Sequence, residues 1–154
     1  MRAETRDHHY MESGLENVWL TGLTVYVCPE GHELLAIPAM AKLHRAIALA
    51  IISRSERLTP AEVKYLRKYL GLSNHDFAKV MGISETHASR WASGAGMGAS
   101  AENLLRILVL RGFKPESYPV DEMTYLKGLT HNPGAARIEL RKRADDWQPV
   151  AVSA

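Results

Sequence analysis

A chain of 154 residues that is 46% hydrophobic and 23% charged, with 19 Lys+Arg against 17 Asp+Glu, has the balance of a soluble globular protein with one ordinary domain or two small ones. That balance excludes wholesale disorder, and the longest apolar run, Ala46 to Ile52, falls far short of the roughly 20 residues a membrane-spanning helix needs. The N-terminal residues, with Glu4, Arg6, Asp7, His8 and His9, show no signal-peptide apolar region, and one cysteine, Cys28, supports neither an internal disulfide nor a four-cysteine zinc site; the expected location is the cytoplasm.

Charge is divided along the chain. Residues 1–53 hold four basic and six acidic side chains, residues 54–113 nine and five, and residues 114–154 six and six. The basic excess lies in the middle, as expected of a segment that approaches phosphates. Within residues 1–53, the runs Val18-Trp19-Leu20, Leu23-Thr24-Val25-Tyr26-Val27 and Leu34-Leu35-Ala36-Ile37, separated by Gly22 and Pro29-Glu30-Gly31, predict three short strands of an antiparallel meander. From Ala39 the period becomes helical, with Met40, Leu43, Ile47 and Ile51 on one face. A sheet of this size needs a cover, so this helix is expected to pack across it.

Ser53 to Leu58 reads as a polar linker, after which helix punctuation is dense. Thr59-Pro60-Ala61-Glu62 offers an N-cap, a first-turn proline and a capping-box glutamate, and Val63, Leu66 and Leu70 form a stripe ending at Gly71. Ser73 caps a second helix with Phe77, Ala78 and Met81 inward and Gly82 at its end. Ser84 caps a third, from Glu85 to about Ser93, closed by Gly94, and Ser100 opens a fourth carrying Leu104, Leu105, Leu108 and Val109 as far as Gly112. The fold class expected is α+β, mainly α. Its domains are a sheet-plus-helix unit at 1–53, a helical domain at 54–113 and a C-terminal extension at 114–154 suited to pairing between subunits. In that extension, residues 119–126 suggest a short helix, His131-Asn132-Pro133-Gly134 a turn, residues 136–141 a strand, and Trp147 with Val150 another. The run Arg141-Lys142-Arg143 reads as a solvated face, with a grip on DNA backbone as the alternative.

The helices at 73–81 and 84–93 have the spacing of a helix-turn-helix, which needs a small residue where the helices touch and a glycine at the turn; Ala78 and Gly82 stand there. Ile83 and Ala88 can plug the groove between them, leaving Ser84, Glu85, Thr86, His87, Ser89 and Arg90 as a polar face. Its first turn is short-chained and can enter a major groove, where Ser and Thr reach either base type and Arg a guanine edge. Glu85 is tolerable there if it accepts from a cytosine amino group or pairs with Arg90. Trp91 is read as core.

The stretch from Leu72 to Ser84, followed by Ala88-Ser89-Arg90-Trp91-Ala92-Ser93-Gly94, resembles the lambda-repressor-like, Xre/Cro-type helix-turn-helix over roughly residues 59–112. The N-terminal segments Tyr10-Met11-Glu12-Ser13-Gly14-Leu15, Asn17-Val18-Trp19-Leu20 and Val27-Cys28-Pro29-Glu30, with Ile37-Pro38 and Leu43-His44, are similar to the zinc-finger half of MqsA-like antitoxins, which is joined to such a helix-turn-helix. The resemblance implies an antitoxin and operator-binding autorepressor whose N-terminal half contacts a toxin. It also implies that Asn74, at the start of the second helix, stands where an amide side chain clamps phosphate, and Ser73 before it is counted with the DNA-binding residues. The family's paired Cys-x-x-Cys knuckles are reduced here to Cys28-Pro29-Glu30-Gly31-His32, so the reading is a metal-free sheet and helix with no cofactor.

The function expected is a sequence-specific DNA-binding regulator acting as a homodimer on a palindromic operator, with no membrane partner and no enzymatic role. The alternative is a protein-interaction module that neutralises a toxin with little DNA binding. A metal-dependent hydrolase built on His8, His9, His32 and His44 lacks a carboxylate partner and ligand spacing.

Overall fold

The computed structural model describes residues 1–113 and 137–150. They fall into two compact units, one formed by Met1–Ile47 with Ala135–Ala154 and the other by Ala48–Gly134. The expected helix at 119–126 and turn at 131–134 lie outside the described residues.

The first unit is built around one long strand, β2 (Val18–Val27). β1 (Arg2–His9) and β3 (Glu33–Leu35) pair with it antiparallel, β4 (Ile138–Arg143) pairs with it parallel, and β5 (Asp146–Pro149) pairs antiparallel with β4. The meander expected from sequence is thus corrected. Its first two strands are a single one, and Gly22 marks an irregularity within it: Arg6 pairs Leu23 and His8 pairs Leu20, a register shift, while Gly22 has φ +72°. An extra residue at such a bulge resets the alternation of faces. This is why Val18 and Leu20 before it, and Leu23 and Val25 after it, all point into the core although Leu20 and Leu23 are three residues apart.

β1 was not expected at all. None of its eight residues is buried, so an edge strand carrying Arg2, Glu4, Arg6 and Asp7 shows no apolar alternation for a sequence reading to detect. The strands expected near 136–141 and 147–150 are present, but their role differs from the expectation. Ile138 N donates to Asn17 O (2.8 Å), Thr21 Oγ1 to Leu140 O (3.1 Å) and Trp147 Nε1 to Pro38 O (3.1 Å). Ile138, Leu140 and Trp147 are buried. The C-terminal strands therefore complete the sheet of the N-terminal unit, and the division at 1–53, 54–113 and 114–154 differs from the structural one.

α1 (Met40–Ile52) runs from the first unit into the second. Leu43, Ile47 and Ile51 are fully buried as expected, whereas Met40 is exposed. His44 packs beside Tyr10, its Nε2 within 3.2 Å of the phenol oxygen. Burial lowers the His44 pKa and raises that of Tyr10, with Glu12 adding to the latter; a neutral imidazole nitrogen accepts from the phenol O–H, a packing role rather than a ligand's.

The second unit holds α2 (Pro60–Tyr69), α3 (Asn74–Met81), α4 (Glu85–Ser93) and α5 (Ala99–Phe113). Three caps follow the sequence signals: Thr59 Oγ1 accepts from Glu62 N, Ser73 Oγ from Asp76 N and Ser84 Oγ from His87 N. The capping box at Thr59 is half made. Glu62 is 2% exposed and pairs with Arg54 instead of reaching back to the cap. The segment before α2 is also less of a linker than its polarity suggests, because Arg106, 4% exposed on α5, donates from Nη1 to the carbonyls of Ile52 (2.8 Å) and Arg54 and from Nη2 to that of Glu56 (2.7 Å). Glu102, also buried, accepts from Leu58 N (2.6 Å).

Gly82 ends α3 with φ +69° and ψ +34°, and its N–H meets the Ala78 and Lys79 carbonyls. An added Cβ would meet nothing within 4 Å, so the cost of a side chain there is conformational alone. Gly82→Ala is expected to cost about 1–2 kcal/mol, and Gly82→Asn less; urea denaturation of the two variants measures the difference.

Candidate nucleic-acid interface

α3 and α4 cross over the turn at Gly82 and Ile83, and Ala78, Phe77, Ala88 and Trp91 are buried where the helices meet. Trp91 lies edge-on to Phe77 (centroids 6.4 Å, 77°), the core role expected of it. His87, one turn earlier on α4, leans on the same indole (5.0 Å, 60°) and is exposed. The remaining face of α4 is open: Ser84, Glu85, Thr86, Ser89 and Arg90 are all exposed, and the Arg90 side chain makes no hydrogen bond or ion pair among the described residues. Arg67 on α2 donates to Leu72 O (2.8 Å), fixing the chain's approach to α3.

Two side chains depart from the sequence expectations. Glu85 is paired not with Arg90 but with His75 on α3, whose Nδ1 contacts Glu85 Oε1. Asn74 Nδ2 donates to Glu85 O and to Ser89 Oγ, each at 3.2 Å. A side-chain amide nitrogen carries two hydrogens, so in this arrangement both are directed at α4, and the remaining Oδ1 can only accept. Ser73 is likewise engaged as a cap, accepting from Asp76 N (3.1 Å) and donating to Asp76 Oδ2 (2.9 Å). The first turns of α3 and α4 therefore lie side by side, tied through Asn74 and His75.

His75 is the residue the sequence reading missed. Its pKa is raised by the hydrogen bond to Glu85 and by that carboxylate's charge, against desolvation, with Asp76 adding a lesser upward effect. Nothing local in Ser73-Asn74-His75 signals this pairing; it becomes visible only when the α3–α4 crossing is drawn.

The zinc implied by the resemblance needs four converging ligands in a closed structural site. Among the described residues, one group of donors converges, Cys28, Glu30 and His32, with ligand atoms within 4.8 Å of one another. Cys28 Sγ lies 3.6 Å from His32 Nδ1, and Glu30 Oε2 3.8 Å from it. His8 and His9, the histidines needed to complete the set, are engaged elsewhere. His8 pairs with Glu12 (3.2 Å), and His9 stacks on Trp19 (4.3 Å, 2°) with its Nε2 2.6 Å from Glu16 O. Three donors, with Glu30 and His32 each 82% exposed, do not fit a closed zinc site. Purified protein is expected to hold less than about one zinc per four chains by elemental analysis; one zinc per chain, lost together with folding on chelation, would reverse this.

Residues 63–110, from α2 into α5, match the family model described as Helix-turn-helix, of the Xre or lambda-repressor-like kind. That is a DNA-binding regulatory domain and not a catalytic one. Residues 63–110 are accordingly a helix-turn-helix domain of the Xre type, the kind found in DNA-binding transcriptional regulators. No curated protein and no solved structure matches the chain, and among the described residues no helix is long and apolar enough to cross a membrane.

Proposed function

We propose that the protein is a dimeric, sequence-specific repressor of the antitoxin type that reads a palindromic operator with α4. The observation that carries this is the division of α4 into two faces. Ala88 and Trp91 are buried, while Ser84, Glu85, Thr86, Ser89 and Arg90 stand exposed as a polar edge ending in a guanidinium with no ion pair among the described residues. In the helix-turn-helix docking mode the N-terminal part of the second helix meets base edges, and the first helix meets the backbone. On this reading Ser84, Glu85, Thr86, His87, Ser89 and Arg90 face the groove, while Ser73 and Asn74 stand near the phosphates.

One helix of this length reaches only a few base pairs, and a two-fold dimer doubles the contacts on an inverted repeat. The candidate interfaces are α5, where Leu104 is 38% exposed, and the chain after Gly112, although β4 and β5 also belong to the chain's own sheet. Half-site centres should lie about one helical turn, roughly 34–36 Å, apart. Fluorescence anisotropy against DNA from upstream of the protein's own reading frame, with footprinting, tests this. Expected is a protected inverted repeat bound far more tightly than random duplex, by a species that light scattering reports as a dimer. Equal affinity for all duplexes, or a monomer binding without cooperativity, would overturn it.

The antitoxin part rests on the resemblance of the N-terminal segments, and β1 supports a protein partner for that unit. β1 is an eight-residue strand that pairs only with β2 among the described residues, and such an edge can accept a further strand. Co-expression with the neighbouring reading frame, followed by affinity purification, tests for a toxin bound to this unit. If a partner is retained while no DNA is bound specifically, the interaction-module reading replaces the repressor.

A further inference from the structure

Glu85 is anomalous in a recognition helix, because a carboxylate carried into a DNA groove approaches the dense negative charge of two phosphate rows. The structure places a counter-charge against it. His75, in the first turn of α3, meets the Glu85 carboxylate through Nδ1, and both side chains are 57% exposed. Asn74 holds the Glu85 carbonyl and the Ser89 hydroxyl, so the backbone that carries Glu85 is tied to the turn that carries His75.

The charged groups acting on the imidazole are Glu85 from α4 and Asp76 beside it on α3. Among the described residues α5, which also packs on α3, brings no titratable group to bear on it. Both carboxylates favour the imidazolium, so the His75 pKa stands above its ordinary value in the free protein.

We propose that His75 is a further residue of the DNA interface: as an imidazolium it masks Glu85 while α4 enters the groove, so that operator binding is coupled to proton uptake at His75. This rests on the DNA-binding reading of α4. Phosphates near a bound imidazolium raise its pKa further. Affinity is then greatest below the free-state pKa of His75 and falls as pH rises through the interval between the free and bound values. The fall is up to about tenfold per pH unit for each protomer, and it levels off once His75 is neutral in both states.

The test measures operator affinity of the full chain from about pH 6 to about pH 9 at fixed ionic strength, for the native protein, His75→Gln and Glu85→Gln. The native affinity should fall with rising pH. His75→Gln should be weak and flat across the range, matching the native protein only at the alkaline end. Glu85→Gln, which keeps an accepting oxygen but carries no charge, should bind more tightly than the native protein at high pH, with a shallower profile. NMR titration of the free protein should show the His75 midpoint drop when Glu85 becomes Gln. A flat native profile, a dependence that survives His75→Gln and so belongs to another group such as His87, or an unmoved His75 midpoint in Glu85→Gln would each overturn the inference and leave the DNA reading standing. Absence of specific binding at every pH would overturn the DNA reading itself, and this inference with it.

Discussion

Arg106→Met is expected to destabilise the helical unit by about 3–5 kcal/mol, the range for removing one partner from a buried charged cluster. The Arg106 guanidinium caps the carbonyls of Ile52, the last residue of α1, and of Arg54 and Glu56 in the segment before α2. Burial lowers its pKa, with Arg54 acting the same way and Glu102, Glu62 and Glu56 opposing, and an arginine remains charged through such a shift. Methionine fills much of the same space but carries no donor. The three carbonyls would lose their bonds, and Glu62 and Glu102, 2% and 5% exposed, would lose a counter-charge. Glu56 lies in the same cluster: both its carboxylate oxygens are buried without a hydrogen bond among the described residues, and its charge acts on Arg106 less than those of Glu102 and Glu62. Arg106→Lys keeps the charge but not the planar fork and should fall between the two. Urea unfolding followed by circular dichroism reads the difference, and a loss below about 1 kcal/mol for Arg106→Met would mean that the segment is held by other contacts.

What the sequence revealed and what it concealed follow from the range of the interactions involved. Thr59, Ser73 and Ser84 as caps, and Gly82 as a left-handed terminus, depend on residues within one helical turn, so their signals are local and the helices appeared where expected. The inward set Phe77, Ala78, Met81, Ala88 and Trp91 was legible for the same reason, through the helical period. The parallel pairing of β4 with β2 joins opposite ends of the chain, and no spacing announces it. β1 buries no side chain, so it carries no pattern, and the bulge at Gly22 made one strand resemble two. Arg106 reads as one more charge on an amphipathic helix until the carbonyls it serves are seen. At the candidate interface, the residues of α4 were legible as an exposed face, while their partners were not, because Glu85–His75 and Asn74–Ser89 are contacts across the crossing of two helices.

Arg90→Ala should weaken operator binding by about 1–3 kcal/mol per half-site and relax the preference at one base pair in each. Arg90 lies one turn beyond the first turn of α4, exposed, with no ion pair among the described residues to compete for it, because Glu85 is held by His75 instead. A guanidinium so placed can bond a guanine O6 and N7 together, and the loss falls on the one base it reads. Asn74→Ala should behave differently from a plain phosphate contact. With both amide hydrogens on α4, its removal frees the seating of the recognition helix, and the operator should lose more affinity than random duplex. Measuring each variant against the operator, against single-base variants of it and against random DNA separates these effects. If Arg90→Ala lowered affinity for operator and random DNA by the same factor, with base preference intact, Arg90 would be a backbone contact. If Asn74→Ala did the same, its amide would leave α4 for a phosphate in the complex, and sequence reading would rest on the remaining side chains of the first turn, Ser84, Glu85 and Thr86.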